Sequence, residues 1–175
     1  MLRNQAFGAR HLAPTRLLAA TLCAFAFLGT STFEAVAATR FVPNAAGDEV
    51  TDTFTGLIWR RCAEGQNWDG SHCAGSYSRF IWGGALAHAR SEASRTSLAW
   101  RVPNVKELKS LVNSGAKKPA SYPAFPDTPL DAFWTSTAYA GSAGDTWVVS
   151  FSYGFTEPFN FRDGSHAVRL VRTAP

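Results

Sequence analysis

The first 37 residues have the pattern of an export signal, and this leader limits the folded chain to the remaining 138 residues. Met1–Arg16 carries three arginines and no acid. The apolar run Leu17–Leu28 follows, with 12 residues where a transmembrane helix needs roughly 20. Ala35–Ala37 then gives the small-x-small pattern that signal peptidase requires. We therefore predict a signal peptide over residues 1–37, cleavage after Ala37 and an exported protein.

The mature chain, residues 38–175, is long enough for a single domain with its own hydrophobic core. It keeps 14 basic and 12 acidic residues, so its net charge is +2, compared with +4 for the full chain. An excess this small is not the charge signature of a nucleic-acid-binding protein. Nineteen of the 138 residues are aromatic, which excludes intrinsic disorder. No segment of the mature chain approaches the length of a membrane-spanning helix.

Two cysteines, Cys62 and Cys73, remain once Cys23 is removed with the leader. The compartments outside the cytoplasm are oxidising, so an even number of cysteines favours a disulfide. The alternative is a metal site that uses His72 beside Cys73, but this arrangement lacks the paired C-x-x-C spacing of a zinc site. We predict the disulfide, which pins a surface loop, and we expect neither a metal nor another cofactor.

Two helices are predicted in the first half of the mature chain. The segment Trp82–Arg95 has small and apolar residues at helical spacing. A second helix begins after Asn104, which can cap it, with Glu107 at the capping-box position. We predict that this helix ends at Gly115.

From Phe133 onward the sequence is typical of antiparallel β-structure. Four strands are predicted, at Phe133–Thr137, Trp147–Ser152, Phe155–Phe161 and Ala167–Arg172. The segment before them, Lys117–Asp131, contains four prolines and several aromatic residues, so we expect it to be extended and packed. Two helices followed by an antiparallel β meander indicate an α+β domain.

Most of the conspicuous side chains have a structural interpretation. Core packing is predicted for four tryptophans at strand positions: Trp59, Trp100, Trp134 and Trp147. Arg101 and Arg169 lie in apolar strands, where a guanidinium usually pairs with a carboxylate, and Glu107 is one candidate partner. The signatures of common hydrolases, nucleotide-binding proteins and metalloproteases are absent. We therefore expect a protein that is not an enzyme.

A series of aromatic-rich motifs occurs in a characteristic order: Thr51–Trp59, Trp82–Ala87, Trp100–Leu108, Tyr122–Pro126, Phe133–Thr137, Trp147–Phe151 and Val168–Arg172. Their order resembles the bacterial Lcl C-terminal domain family, which is found in the collagen-like adhesin of Legionella. The resemblance covers about Val50 to Arg172. It implies a compact, distantly C-type-lectin-like α+β domain on an exported, often surface-exposed protein, with adhesion or glycan binding as its role.

The chain departs from its expected relatives at two points. It has no Gly-X-Y collagen tract, so the stalk that forces trimerisation in the collagen-like adhesin is missing. Calcium-dependent lectins bind sugar through a Glu-Pro-Asn loop that is followed by a Trp-Asn-Asp motif. Here Glu157 and Asn160 bracket a Pro-Phe pair, and no Trp-Asn-Asp follows. A calcium site at these two residues is therefore not predicted.

Four lysines form the densest group of like charge in the mature chain. Lys106 and Lys109 are three residues apart and so share one helix face, and Lys117 and Lys118 follow shortly after. No acid lies between Lys109 and Lys118. The group predicts an anion-attracting patch suited to an anionic polysaccharide.

Two other functions fit the sequence. The chain could be a structural or accessory subunit of an extracellular assembly, such as a pilus or a secretion system. It would then bind an envelope protein through exposed aromatics such as Tyr139, Tyr153 or Trp68. An enzyme with an active site that no motif marks is the third interpretation. In each case the expected location is periplasmic, secreted or cell-surface, with no membrane span and no nucleic acid as partner.

Overall fold

The computed structural model describes residues 39–159 and 162–174, all within one compact unit that spans residues 37–175. The signal-peptide prediction falls on residues outside the described ones. The elements in chain order are β1 (Phe41–Pro43), β2 (Glu49–Asp52), β3 (Leu57–Arg60), β4 (Asn67–Trp68), β5 (Cys73–Ala74), α1 (Trp82–Thr96), α2 (Val105–Lys109), β6 (Ala132–Ala138), β7 (Thr146–Ser150), β8 (Thr156–Phe159) and β9 (Val171–Thr173).

The strands form three antiparallel sheets. The first has the order β1-β2-β3-β9, the second pairs β4 with β5, and the third is the meander β6-β7-β8. Two helices combined with antiparallel sheets confirm the predicted α+β class. The meander contains three of the four strands that the sequence predicted.

The fourth predicted strand, Ala167–Arg172, does not extend the meander. Only its end is a strand, β9, and it pairs with β3, with Trp59 opposite Val171 and Ile58 opposite Arg172. The residues before β9 cross between the sheets: Ala167 bridges to Phe133 of β6. Residues 167–171 are fully buried and run from one sheet to the other, so the segment bridges β6 at its start and pairs with β3 at its end instead of adding a fourth strand to the meander.

Both predicted helices are present, and the second is shorter than expected. Asn104 and Glu107 form the predicted capping box: Asn104 Oδ1 accepts from Glu107 N at 2.9 Å, and Glu107 Oε2 accepts from Asn104 N at 2.8 Å. The predicted end at Gly115 was wrong, because the helix ends at Lys109 and Val112 pairs with Ser121 in an antiparallel bridge.

The core consists of two clusters of buried side chains, one around Trp59 and one around Trp134. These two indoles are fully buried and Trp100 is nearly so, as predicted, but Trp147 is only half-buried. The connector before β6 is packed as expected, with Phe125 in the core. No described helix combines the length and apolarity needed to cross a membrane.

Two of the three predicted side-chain pairings are present in the structure. Cys62 and Cys73 form the predicted disulfide, with their Cα atoms 5.5 Å apart. Arg101 makes the predicted ion pair with Glu107, through two hydrogen bonds of 2.8 Å each. For Arg169 the expected carboxylate was wrong, because its guanidinium donates to carbonyl and hydroxyl oxygens instead.

Candidate functional site

Two of the predicted lysines line a groove between the second helix and the meander. We call this surface the lysine groove; its lining residues are Val105, Lys106, Lys109, Trp147 and Thr156, and its volume is about 230 Å³. The capping box starts α2 and sets Lys106 and Lys109 on one helix face. Trp147 comes from β7 and Thr156 from β8. Trp147 is held by an edge-to-face contact with Tyr139, with ring centroids 5.4 Å apart.

The tight turn between β7 and β8 brings a third lysine towards the groove. Lys109 Nζ donates to the carbonyl oxygen of Gly154 at 2.6 Å, and Lys118 Nζ lies 4.7 Å from the ring centroid of Tyr153. Lys109 and Lys118 therefore contact adjacent residues of one turn, Gly154 and Tyr153. Lys117 is exposed and precedes Lys118 in the chain.

Glycine is required at position 154 of this turn. Its φ is +75°, and a Cβ there would lie 3.1 Å from Ala120 Cβ and 3.2 Å from Val112 Cγ1. The turn is thus packed against the segment that carries Lys117 and Lys118. It also presents Tyr153, which is 67% exposed and stacks on Phe155 with ring centroids 5.6 Å apart.

The two charged residues that line the lysine groove are both basic. Its five lining residues include no acid, and all four lysines of the chain lie between positions 106 and 118. The nearest acid along β8 is Glu157, which alternation along the strand turns to the face opposite Thr156. An ammonium has three donors, so Lys109 keeps two for a ligand after its bond to Gly154.

A second and larger cavity, which the sequence did not predict, lies beside the disulfide. We call it the polar cleft; it has a volume of about 450 Å³ and is lined by Asp48, Arg60, residues 62–68, Glu92 and Arg95. Arg60 ends β3, residues 62–66 form the loop after it, and Glu92 and Arg95 come from the second half of α1. Sequence reasoning missed it because Arg60 and Glu92, which form an ion pair, are 32 residues apart.

The charged groups of the polar cleft are paired with one another or with neighbours. Glu92 accepts from Arg60 at 2.8 Å and from Arg95 at 2.7 Å, and the hydrogen bond from Arg95 is the largest cause that lowers the pKa of Glu92. Glu64 contacts Nε2 of His88 at 2.7 Å, a hydrogen bond that raises the pKa of His88. Asp48 accepts from the amide of Asn44 at 2.9 Å.

Metal binding has no support among the residues that the structure describes. No group of three or more His, Cys, Asp or Glu side chains lies close enough together there to hold an ion. Glu157 lies in β8, but Asn160 falls outside the described residues.

Comparison with known protein families places the whole described core in one family. The model of the Lcl C-terminal domain matches residues 48–172, and both the lysine groove and the polar cleft lie within that range. The chain belongs to the Lcl C-terminal domain family. This confirms the resemblance seen in the motifs, and membership indicates an adhesin-like extracellular domain. The disulfide is consistent with an exported Lcl C-terminal domain. No curated protein matches the chain.

Proposed function

We propose that this Lcl C-terminal domain is an exported, non-catalytic adhesion domain that binds an anionic polysaccharide in the lysine groove. One observation carries the proposal: Lys106 and Lys109 line the same groove as the half-buried indole of Trp147. Ammonium groups supply charge for a carboxylate or sulfate, and an aromatic side chain supplies an apolar surface with fixed geometry for a sugar ring. A groove with both features fits a charged sugar polymer better than a small inorganic anion.

The turn at Tyr153 and Gly154 extends the same chemistry beyond the groove. Lys109 and Lys118 both contact this turn, and the exposed pair Tyr153 and Phe155 lies beside them. A polymer that occupies the groove could continue over these rings and meet a further ammonium. Contact with several sugar units would add weak interactions along one chain, which is how adhesion domains gain strength from modest sites.

The chemistry of the lysine groove favours binding over catalysis. Its lining includes no carboxylate, imidazole or thiol; the groups left for such chemistry are the hydroxyl of Thr156 and the amines of Lys106 and Lys109, and Lys109 already donates to the carbonyl oxygen of Gly154. General acid–base and nucleophilic catalysis need such groups within hydrogen-bond reach of each other. We also propose that the fold is distantly C-type-lectin-like, and the α+β arrangement is compatible with this. The proposed location is periplasmic, secreted or cell-surface.

Retention on heparin and alginate columns tests the proposal. The mature domain should bind at low salt and elute as salt rises, because salt screens exposed charges beyond about 8 Å at physiological ionic strength. A variant with Lys106, Lys109, Lys117 and Lys118 all changed to Gln should lose retention. The matched control changes the same four residues to Arg, which keeps the charge, and should be retained. Equal retention of the Gln variant and the parent domain would refute the role of these lysines.

A protein partner is the second candidate function, and one exposed side chain favours it. Phe54 is 81% exposed in the turn between β2 and β3, with the Arg40 guanidinium 5.8 Å from its ring centroid, so most of the phenyl ring is open to a partner. Of the three aromatics that the sequence suggested, only Tyr153 is exposed, since Tyr139 and Trp68 are half-buried. If Phe54→Ser abolished capture of an envelope protein while heparin retention persisted, the accessory-subunit role would gain support.

A further inference from the structure

We infer that the polar cleft is a second binding site, for an uncharged, hydroxyl-rich ligand such as a sugar unit of a neutral polysaccharide. The cleft shares no lining residue with the lysine groove. Its chemistry also differs, because its lining carries the acids Asp48, Glu64 and Glu92 beside the bases Arg60 and Arg95. The inference is therefore independent of the proposed function, and either can fail without the other.

The pairing of charges in the polar cleft selects against a charged ligand. Glu92 is shared by Arg60 and Arg95, and Glu64 is paired with His88. A ligand anion would have to displace Glu92 from both guanidiniums and would meet the other two acids of the lining. A ligand cation would have to compete with the same guanidiniums for Glu92. Glu64 and Glu92 are thus ion-paired, Asp48 accepts from the neutral amide of Asn44, and a hydroxyl can hydrogen-bond to such a polar lining without displacing a charge.

Two buried polar atoms in the lining residues have no hydrogen-bond partner: Nε of Arg60, a donor, and Oε1 of Gln66, an acceptor. The Gln66 amide is oriented by its other atom, because Nε2 donates to the carbonyl oxygen of Cys73 at 3.3 Å. A polar group that is buried without a partner is destabilising, and a ligand that supplies the partner removes that cost. A hydroxyl group both donates and accepts, so a sugar hydroxyl can partner either kind of atom where a side-chain rotation exposes it to the cleft.

The loop that forms one side of the polar cleft is rigid. The disulfide anchors it at Cys62, Glu64 N donates to Val168 O at 2.9 Å, and Ser78 N donates to Glu64 O at 2.7 Å. Gly65 has a φ of +96°, and a Cβ there would lie 2.5 Å from Ser78 N, so this backbone fits closely against its neighbour. A preformed site loses little conformational entropy on binding, which matters for weak ligands such as sugars.

A peptide fits the polar cleft less well than a sugar does. Extended peptides are recognised by adding a strand to a sheet edge, or through apolar grooves that take their side chains. Two strands reach the cleft: β3 contributes only Arg60 and is already paired on both sides, and β4 has two residues, which is too short to template another strand. The other lining residues are mainly polar, and the indole of Trp68 is already covered by the guanidinium of Arg61, 3.7 Å from the ring centroid.

A blocking substitution on an array of uncharged glycans tests the inference. Asn67 lines the cleft and is exposed, so Asn67→Trp fills the cleft without removing a buried contact. We expect the mature domain to bind at least one uncharged glycan, and Asn67→Trp to weaken that binding by about tenfold or more, as a steric block should. The matched control, Ala87→Trp, adds the same side chain at an exposed position of α1 outside the cleft and should bind normally.

Further variants and measurements distinguish binding in the polar cleft from binding in the lysine groove. The variant with all four lysines changed to Gln should bind the uncharged glycan as the parent does, and salt should have little effect, because no net charge is involved. If Asn67→Trp misfolds, as judged by its melting curve, Asn67→Arg provides a second blocking side chain. No binding anywhere on the uncharged array, or binding that both blocking variants leave unchanged, would overturn the inference. Selection of a peptide that Asn67→Trp excludes would overturn the ligand class.

Discussion

The buried guanidinium of Arg169 donates a hydrogen bond to the main-chain carbonyl of Arg60, 3.0 Å away in space and 109 residues earlier in the chain. It also donates to the carbonyl of Arg61 and to the hydroxyl of Thr128, the latter at 3.0 Å. Burial lowers the pKa of Arg169 to about 9, with the charge of Glu64 opposing the shift, so the group stays protonated at neutral pH. One side chain thus joins the end of β3, where the polar cleft begins, to the segment that leads into β9.

Arg169→Met should destabilise the domain strongly. The thioether fills much of the same space, but it leaves the carbonyls of Arg60 and Arg61 without their buried donor. We expect the free energy of unfolding to fall by about 3 kcal/mol or more, since each orphaned buried acceptor costs roughly 1–3 kcal/mol. Urea denaturation measures the loss. Arg90→Met, at an exposed position of α1, should change stability by less than about 0.5 kcal/mol; equal effects of the two substitutions would contradict the role given to Arg169.

Removal of the disulfide should weaken the fold without abolishing it. The double change Cys62→Ala and Cys73→Ala frees the loop in the unfolded chain, so we expect a loss of roughly 2–4 kcal/mol in the free energy of unfolding. The domain should still fold, because Trp59 and Trp134 anchor two core clusters elsewhere. The parent domain with its disulfide reduced should behave like the double variant. A melting curve unchanged by either treatment would show that the bond does not stabilise the domain.

Local signals were readable in the sequence, and contacts between distant segments were not. The capping box at Asn104 and Glu107 depends on residues three apart, so its pattern was visible. The end of α2 depends on Val112 pairing with Ser121, a non-local contact that overrides helical spacing. In the same way, the pairing of β9 with β3 could not be predicted, because the two strands are more than a hundred residues apart in the sequence.

The two candidate surfaces differ in predictability for the same reason. The four lysines are close in the sequence, so their clustering could be predicted. That Trp147 lines the same groove, and that Lys109 bonds to the turn at Gly154, was visible only in the structure. The polar cleft joins α1 to the loop after β3, and only the cysteines hinted that this loop was held in place. Buried arginine was expected to find a carboxylate, and Arg169 shows that backbone carbonyls serve as well.

Chelation should leave the stability of the domain unchanged. Among the described residues no group of three or more His, Cys, Asp or Glu side chains lies close enough together to hold an ion, and the core clusters consist of apolar side chains. We expect the same melting temperature for the mature domain with and without EDTA. Calcium added after chelation should likewise have no effect. A drop of several degrees with EDTA that calcium reverses would instead indicate an ion site, with Glu157 and Asn160 as the first residues to substitute.

The contact between His88 and Glu64 should make part of the stability depend on pH. The hydrogen bond to Glu64 raises the pKa of His88 above its ordinary 6.5, aided by the charge of Glu92 and opposed by burial and by Arg60. The stabilisation is therefore full below about pH 6.5 and is lost as pH rises through the raised pKa. His88→Gln should remove it, so urea denaturation should show a larger gap between parent and variant at about pH 5.5 than at about pH 8.5. A gap that does not change with pH would rule out the charged pair.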